Sequence, residues 1–314
     1  MATLKGQNFR ICIYDTTAQK FKVIGMATNC SVSLQNNTED ATTKDDVGMS
    51  SRPTSVSKSW SVSVDSLNVA DMAAILSTIK AMNTMVVMWD ETSTTDNQAL
   101  VSGTAFARGG NAYLTDCTFQ FDDRTNATKQ LQFTGTGALQ PIDAADTTQY
   151  VARGSYTKGQ FVRLFLSDDN SAAPSKVIAA ARTLSLHCSV TVENATTKDT
   201  TGTWQVQEPT GFSYDISSGA LVRSGDVITS SVPSKGLSDL ETIYESGNPV
   251  KWKIANTEGY NNRTATTTIV SGSVVLTQLS INGPNRQNAD YTAQMQGYGE
   301  YTVASTPPES SSNI

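Results

Sequence analysis

The chain has a single histidine, His187, which lies beside Cys188 and is the first residue that could act in catalysis. A Cys-His or Ser-His-Asp site would need further partners from distant parts of the sequence. The residues around His187 alternate between apolar and polar types, as the two faces of a strand do. We therefore interpret His187 as a strand residue that is either solvent-facing or satisfied within the core.

Several pairs of adjacent acidic residues have the oxygen chemistry of a hard-cation site. Each pair lies next to Ser, Thr, Asn or Gly in a segment typical of a turn, where solvated carboxylates are the simpler interpretation.

The segment Thr134–Gly137, TGTG, lacks the lysine and the helix of a phosphate-binding loop. We predict no catalytic residue, no metal and no cofactor, and the chain is not expected to be an enzyme. The acidic pairs are Asp45-Asp46, Asp90-Glu91, Asp122-Asp123 and Asp168-Asp169.

The cysteines and tryptophans favour structural roles. The four cysteines are scattered without CxxC spacing, which predicts buried free thiols in a reducing compartment. Three tryptophans lie in apolar strand patterns and are predicted to pack in the core. Trp204 lies in a polar loop and is the best candidate for an anchor between subunits.

The overall composition restricts the classes of partner. The formal net charge is −6 over 314 residues, which argues against tight nucleic-acid binding, although nucleic acid could still slide past such a surface. No basic-then-apolar signal occurs in the first residues, and no window has the ~18 apolar residues of a membrane span. We expect no membrane binding by this chain.

The elements that carry these residues occur twice. The pentapeptide ATTKD at Ala41–Asp45 recurs at Ala195–Asp199, and the flanking sequence repeats in the same order. The repeat predicts a duplication, with domains at 1–142 and 158–304, a connector at 143–157 and a Pro/Ser-rich tail at 305–314. Other matched segments are Cys30–Val32 with Cys188–Val190, Ser59–Leu67 with Gly211–Leu221, Met85–Trp89 with Pro249–Lys253, Val101–Ala105 with Val270–Val274, and Gly135–Gly137 with Gly297–Gly299.

Period-two alternation predicts strands through most of both copies. Val56–Asp65 has one apolar and one polar face, and Ala112–Phe121 also alternates. One helix is predicted in each copy, over Val69–Ala81 and after a capping box of Ser238 and Glu241, with Gly247 ending the second. The predicted fold is mainly β, with two tandem antiparallel β-sandwich or half-barrel domains, each flanked by one α-helix.

Two long polar loops, Glu39–Val56 and Asn194–Gly211, contain the repeated pentapeptide. Long hairpin loops are usually either functional or poorly ordered, and the presence of the same loop in both copies favours function.

The segments ATTKDD, SVSKSWSVSVDSL, VSGTA, AYLTDCTFQF and NATKQLQFTGTGAL resemble the major tail tube proteins of tailed bacteriophages. They are also similar to the wider superfamily that includes type VI secretion tubes. The first copy fits the pattern over most of residues 23–140. The second copy departs from it, because Phe212 replaces the tryptophan and GYGEY at Gly297–Tyr301 replaces GTGAL.

The resemblance implies a four-stranded sheet per domain, six domains closing a ring, and rings stacking into a hollow tube. It also implies non-specific passage of double-stranded DNA, contacts with a tape measure protein and tail-end proteins, and a virion tail assembled in the host cytoplasm. Because each chain carries two domains, three chains would complete a pseudo-hexameric ring. The alternative hypothesis is a tandem β-sandwich adhesin or carbohydrate-binding module.

The polar face of the aromatic-headed strand is expected to line the bore, with an outer solvent-facing surface as the alternative. The predicted lumen-facing residues are Ser57, Ser59, Ser61, Ser63, Asp65, Ser213, Asp215 and Ser217. The repeated loops are predicted to form ring-to-ring contacts, through Thr43, Lys44, Asp45, Thr197, Lys198, Asp199 and Trp204.

Overall fold

A computed structural model of the chain describes residues 6, 9–15, 20–46, 50–67, 69–79, 81–89, 106–141, 149–150, 157–200, 202–222, 233–257 and 264–304. Strands dominate, which confirms the predicted mainly β class. The strands are β1 Phe9–Asp15, β2 Lys20–Val23, β3 Ala27–Asp40, β4 Pro53–Ser66, β5 Met82–Trp89, β6 Phe106–Asp122, β7 Thr128–Pro141, β8 Gln149–Tyr150, β9 Val162–Leu166, β10 Lys176–Ile178, β11 Ala181–Asn194, β12 Gln207–Leu221, β13 Ser234–Lys235, β14 Val250–Thr257, β15 Ala265–Asn282, β16 Asp290–Gly297 and β17 Thr302–Val303. The helices are α1 Met72–Ser77 and α2 Leu237–Ser246.

Eight strands form one continuous antiparallel layer in the order β3–β4–β7–β6–β11–β12–β16–β15. The first four come from the first half of the chain and the last four from the second half. The remaining strands branch from β6 and β15. They run β6–β5–β1–β2 in the first half and β15–β14–β9–β10 in the second. The three two-residue strands complete them, with β8 on β2, β13 on β10 and β17 on β15.

The two halves share their register residue by residue. Strands β3 and β11 have 14 residues each, and their ladders with β4 and β12 shift at equivalent points. The non-glycine residues with positive φ also fall into equivalent pairs, Met26 with Ala180 and Arg124 with Arg286. This register places Leu34, and not Cys30, at the position of Cys188, so the sequence match of the two Cys-Ser-Val segments was out of register by four residues.

A large aromatic ring lies over two glycines in each half. Trp60 covers Gly110 and Gly135, where an added Cβ would come within 2.7 and 2.1 Å of the ring. In the second half Tyr214 covers Gly272 and Gly297, with corresponding distances of 3.0 and 2.5 Å. The expectation that Phe212 replaces the tryptophan was therefore wrong, because Tyr214 occupies that position and Phe212 lies at its side.

Both predicted helices exist, but their beginnings differ from the expectation. Helix α1 spans only six residues of the predicted 13-residue segment, because its second part forms a turn that leads into β5. Helix α2 begins after Gly236, whose N–H donates to the Asp239 carboxylate at 2.8 Å, so the capping box of Ser238 and Glu241 was wrong. Gly247 adopts φ 62° and ends α2 as predicted.

A β-bulge interrupts the predicted alternation of β6. The ladder with β7 shifts between Leu114 and Asp116, so that the buried residues change from even to odd numbers. Leu114 is buried before the bulge, whereas Cys117 and Phe119 are buried after it. The bulge has a counterpart in β15, and Thr115 and Thr277 each donate to a carbonyl of the neighbouring strand.

The core lies between the eight-stranded layer and the outer strands and helices, and it is continuous across both halves. The fully buried Lys129 ammonium lies 2.6 Å from both carboxylate oxygens of Asp71, beside the start of α1. Removing one partner of such a pair would leave an uncompensated buried charge.

The four cysteines are free thiols, and burial raises the pKa of Cys12 to about 12.

The predicted long loops are shorter than expected, because β3 and β11 extend to Asp40 and Asn194 and because β4 and β12 already begin at Pro53 and Gln207. Within the described ranges no helix is long and apolar enough to cross a membrane. Most of the predicted connector 143–157, the segment Val101–Ala105 and the tail 305–314 lie outside the described residues.

Candidate functional site

The eight-stranded layer has one polar face that runs across both halves of the chain. A row of directly paired residues crosses it from β4 to β16: Asp65, Gln130, Thr118, His187, Asp215 and Gln296. The opposite face carries the core residues, among them Trp60, Phe133, Leu186 and Ile216. All eight residues that the sequence predicted to share a polar face lie on this side of the sheet: Ser57, Ser59, Ser61, Ser63, Asp65, Ser213, Asp215 and Ser217.

Small hydroxyls and amides make up most of this face, which we call the polar face. The Ser31 and Ser63 hydroxyls are 2.7 Å apart, and those of Ser189 and Ser213 are 2.8 Å apart. Sequence reasoning missed its members on the neighbouring strands, because the sequence does not show which strands pair, and within β6 the bulge also obscures the alternation. These additional members are Asp116, Thr118, Gln120, Gln130, Gln132, Thr134, Ser185, His187, Ser189, Gln294 and Gln296.

His187 lies on the polar face, where the two halves meet. Its Nδ1 is 2.8 Å from Asp215 Oδ1 on β12, and its Nε2 is 2.7 Å from Asp116 Oδ2 on β6. Partial burial lowers the pKa of His187, but the hydrogen bonds and charges of the two carboxylates outweigh this effect and raise the pKa above its ordinary value. The imidazolium therefore joins β11 to its own half and to the other half. Of the two readings that the sequence left open, the structure supports a partly solvent-facing strand residue.

The seam between the halves is a β-ladder in which β11 pairs antiparallel with β6, from Thr183 opposite Asp122 to Ser189 opposite Asp116. On its core side Cys188 pairs with Cys117 and Leu186 with Phe119, and all four side chains are fully buried. The two thiols hydrogen-bond to each other, which, together with burial, raises the pKa of Cys188. The two halves thus share one hydrophobic core.

The second-half hairpin strengthens this seam from the side. The Lys58 N–H donates to the Thr203 carbonyl at 2.7 Å, and the Gln205 N–H donates back to the Lys58 carbonyl at 2.9 Å. The Gly137 N–H donates to the Gln205 carbonyl at 2.8 Å, and the Lys58 ammonium lies 6.0 Å from the centre of the Trp204 ring. Trp204 therefore lies against the first half of its own chain, at the base of the hairpin.

The repeated pentapeptide has a local structural role in both hairpins. The hydroxyl of Thr42 accepts the N–H of Arg52 across the hairpin at 2.9 Å, and Thr196 accepts that of Val206 at the same distance. The Asp40 carboxylate accepts the N–H of Thr42 at 2.9 Å, and the Asn194 side-chain oxygen accepts the N–H of Thr196 at 3.0 Å. The turn that follows leaves the hairpin tips exposed: Thr43, Lys44, Asp45, Thr197, Lys198 and Asp199.

The two outer strands of the eight-stranded layer each have one unpaired edge in the described part of the chain. Strand β3 pairs with β4 on one side only. The C-terminal part of β15, from Leu276 to Asn282, pairs with β16 on one side only. Unpaired edges present free N–H and C=O groups to which another strand can pair.

No group of three or more His, Cys, Asp or Glu side chains that could hold a metal ion occurs in the described ranges. Comparison with known proteins finds a family model that matches the second half of the chain. Residues 158–303 match the family described as phage tail tube protein. No curated protein matches the chain.

Solved structures provide further likenesses, each over about half of this chain. A chain from the tail of an empty GTA particle is 16% identical, with a TM-score of 0.34, over 46% of this chain and 94% of that chain. A chain from the virion of a native gene transfer agent particle is 16% identical, with a TM-score of 0.36, over 47% and 98%. The SPP1 tail tube is 16% identical, with a TM-score of 0.33, over 50% and 85%.

Proposed function

We propose, because residues 158–303 match the phage tail tube protein family, that the chain is the wall subunit of a bacteriophage tail tube. Three chains close into a pseudo-hexameric ring, and stacked rings enclose a conduit through which the viral genome passes into the host. The protein is structural and has no catalytic role. It resides in the virion tail after assembly in the host cytoplasm.

The continuous eight-stranded layer is the observation that carries this proposal. One chain contributes four strands from each of two tube domains, 1–142 and 158–304, and leaves an unpaired edge at each end of the layer. A head-to-tail contact that closes after three chains would remove every free edge, and six equivalent domains would surround the axis. Closure also protects long exposed edges from aggregation.

We assign the polar face to the bore. The charged residues of this face include Asp65, Asp116, Asp122, Asp215 and His187, and most other members are uncharged hydroxyls and amides. Lysine and arginine side chains would bind phosphates and retain DNA by releasing its counterions. A face without them allows the duplex to pass without being held.

The exposed hairpin tips, Thr43–Asp45 and Thr197–Asp199, are assigned to contacts between stacked rings. Trp204, at the base of its hairpin, acts within this proposal as part of the seam between the halves. A tape measure protein that sets tube length and the proteins of the tail ends are the further partners.

Negative-stain electron microscopy of the purified chain tests the proposal. Long hollow tubes or stackable rings are the expected result, because the free edges and hairpin tips provide contacts both around and along the axis. Dispersed two-lobed particles over the whole accessible concentration range would contradict it and would favour the binding-module alternative.

A further inference from the structure

We propose that the two unpaired strand edges of the chain pair with each other between neighbouring chains, as a second copy of the β6–β11 seam, with Leu34 opposite Leu279 and Val32 opposite Ile281. The occupant of each edge is thus a second copy of this chain. The inference rests on the proposed ring and specifies which strands form its contact and in which register.

The internal symmetry of the chain sets this register. Strand β3 corresponds to β11 residue by residue, so Leu34 occupies the position of Cys188 and Val32 that of Leu186. The bulges at Thr115 and Thr277 align β6 with β15 in the same way. Leu279 then takes the position of Cys117, and Ile281 that of Phe119. The pairs Cys188–Cys117 and Leu186–Phe119 within the chain become Leu34–Leu279 and Val32–Ile281 between chains.

The exposure of these side chains points to a missing partner. Leu34 is 58% exposed and Ile281 is 55% exposed, although their counterparts Cys188 and Phe119 are 0% exposed. Val32 and Leu279, their proposed partners, are half-buried and already pack against the core. Pairing the two edges would bury the exposed leucine and isoleucine against these neighbours, which is favourable by the hydrophobic effect.

The space beside the β3 edge gives a second, independent observation. A groove of about 970 Å³ is lined by residues of β1, by Val23 and Ile24, and by β3 from Ala27 onward. The equivalent residues of the second half enclose only about 40 Å³, because Phe121 of β6 and Asp123, which follows that strand, line the corresponding space. The first half therefore has an open groove beside β3, at the place where β6 fills the equivalent groove beside β11 in the second half.

The polar side of the two edges permits the same register. Ser31, Ser33 and Gln35 on β3 would lie opposite Asn282, Ser280 and Gln278 on β15, and none of these side chains is charged. No like charges therefore oppose each other in the proposed ladder. Within the chain, His187 bridges Asp116 and Asp215. The equivalent position of β3 is Ser33, so the proposed contact between chains lacks this bridge.

Cysteine cross-linking of assembled protein tests the register. The full chain carries Leu34→Cys and Leu279→Cys, with Cys30→Ser to remove the half-buried native thiol at this edge. The thiols of Cys117 and Cys188 contact each other at the equivalent pair, so the two new cysteines are expected to form a disulfide on mild oxidation. Non-reducing electrophoresis should show covalent species of two and three chains and none larger, because a ring of three is closed. Val32→Cys with Ile281→Cys is a second in-register pair in case the first variant does not assemble.

The control pairs Leu34→Cys with Ser280→Cys, which shifts the register by one residue and places the second thiol on the opposite face. It should remain a single chain on the gel. Rings or tubes in the microscope with no cross-link from either in-register pair, or with equal cross-linking in the control, would overturn the register while leaving the tube intact. The absence of rings and tubes for the unmodified chain would instead refute the proposed function, and the inference with it.

Discussion

At the residue scale, the aromatic rings over paired glycines fix the position of the central strands. Trp60 fills the space over Gly110 and Gly135, and its indole N–H donates to the Gly137 carbonyl at 3.0 Å. Tyr214 takes the same place in the second half, and its hydroxyl donates to the Ser273 carbonyl at 2.6 Å. The first glycine of TGTG and of GYGEY, Gly135 and Gly297, is therefore required by the close approach of an aromatic ring, whereas Gly137 and Gly299 adopt φ of 71° and 75°.

A Gly135→Ala substitution tests this packing. Its Cβ would lie 2.1 Å from the Trp60 ring, so the ring or the strand must move, and we expect a loss of about 1–3 kcal/mol in the free energy of unfolding. Gly211→Ala in β12 is the matched control, since its Cβ would meet only Thr191 at 3.5 Å, and it should change stability by less than about 0.5 kcal/mol. Urea unfolding of both variants measures the difference. Equal effects would show that the ring does not require the glycine.

At the element scale, the seam is built from one strand of each half, and on the polar face it carries a hydrogen-bond network between a histidine and two aspartates. His187 on β11 bridges Asp116 on β6 and Asp215 on β12. Since the two carboxylates raise its pKa in the folded state, folding favours the protonated ring. The stabilisation is complete below the unfolded pKa of about 6.5 and is lost as the pH rises through the raised folded pKa.

The stability difference between the unmodified chain and His187→Gln should therefore depend on pH. We expect it to be largest below about pH 6, where both the folded and the unfolded ring are protonated, and to shrink as the pH rises through the raised folded pKa of His187. Chemical unfolding at a series of pH values measures this difference. A constant difference across the series would mean that His187 acts through packing or neutral hydrogen bonds alone.

The elements also show how far the sequence could predict the structure. Period-two patterns predicted β4 and β12 and their polar faces, because in both strands one side is buried and the other is wet. The bulge in β6 was missed, because the aromatic Tyr113 has the same odd parity as Cys117 and Phe119, so the apolar alternation reads as unbroken although Leu114 is the buried residue before the bulge. The correspondence of Tyr214 to Trp60 was also missed. Phe212 and Tyr214 are both aromatic, and only the glycines that lie under the Tyr214 ring show which of them takes the position of the tryptophan.

The pairing of β6 with β11 was also beyond sequence reasoning. The duplication predicts two similar units but contains no information on which edges of those units meet. Likewise, ATTKD was expected to act in assembly. The first threonine of each copy, Thr42 or Thr196, instead accepts a backbone N–H across its own hairpin and closes it. The exposed tips of the same hairpins retain the proposed contact between rings.

At the scale of the whole molecule, the chain is one third of a proposed closed wall. It contains one complete seam, between its own halves, and the two separated edges of a second seam. In the proposed ring, fusion of the two domains would link every other seam covalently, so only three contacts per ring would have to form between free chains. The seam within the chain carries the hydrogen bonds of His187, whereas the proposed seam between chains has uncharged polar residues and a pair of aliphatic contacts.

A cryo-EM map of assembled tubes, at a resolution that separates strands, is the most direct test of this architecture. We predict three chains per ring, with six similar domains around the axis and the polar face of Ser63 and Asp215 turned towards the bore. A ring of six chains, or a bore lined by the opposite face of the sheet, would contradict the proposed wall.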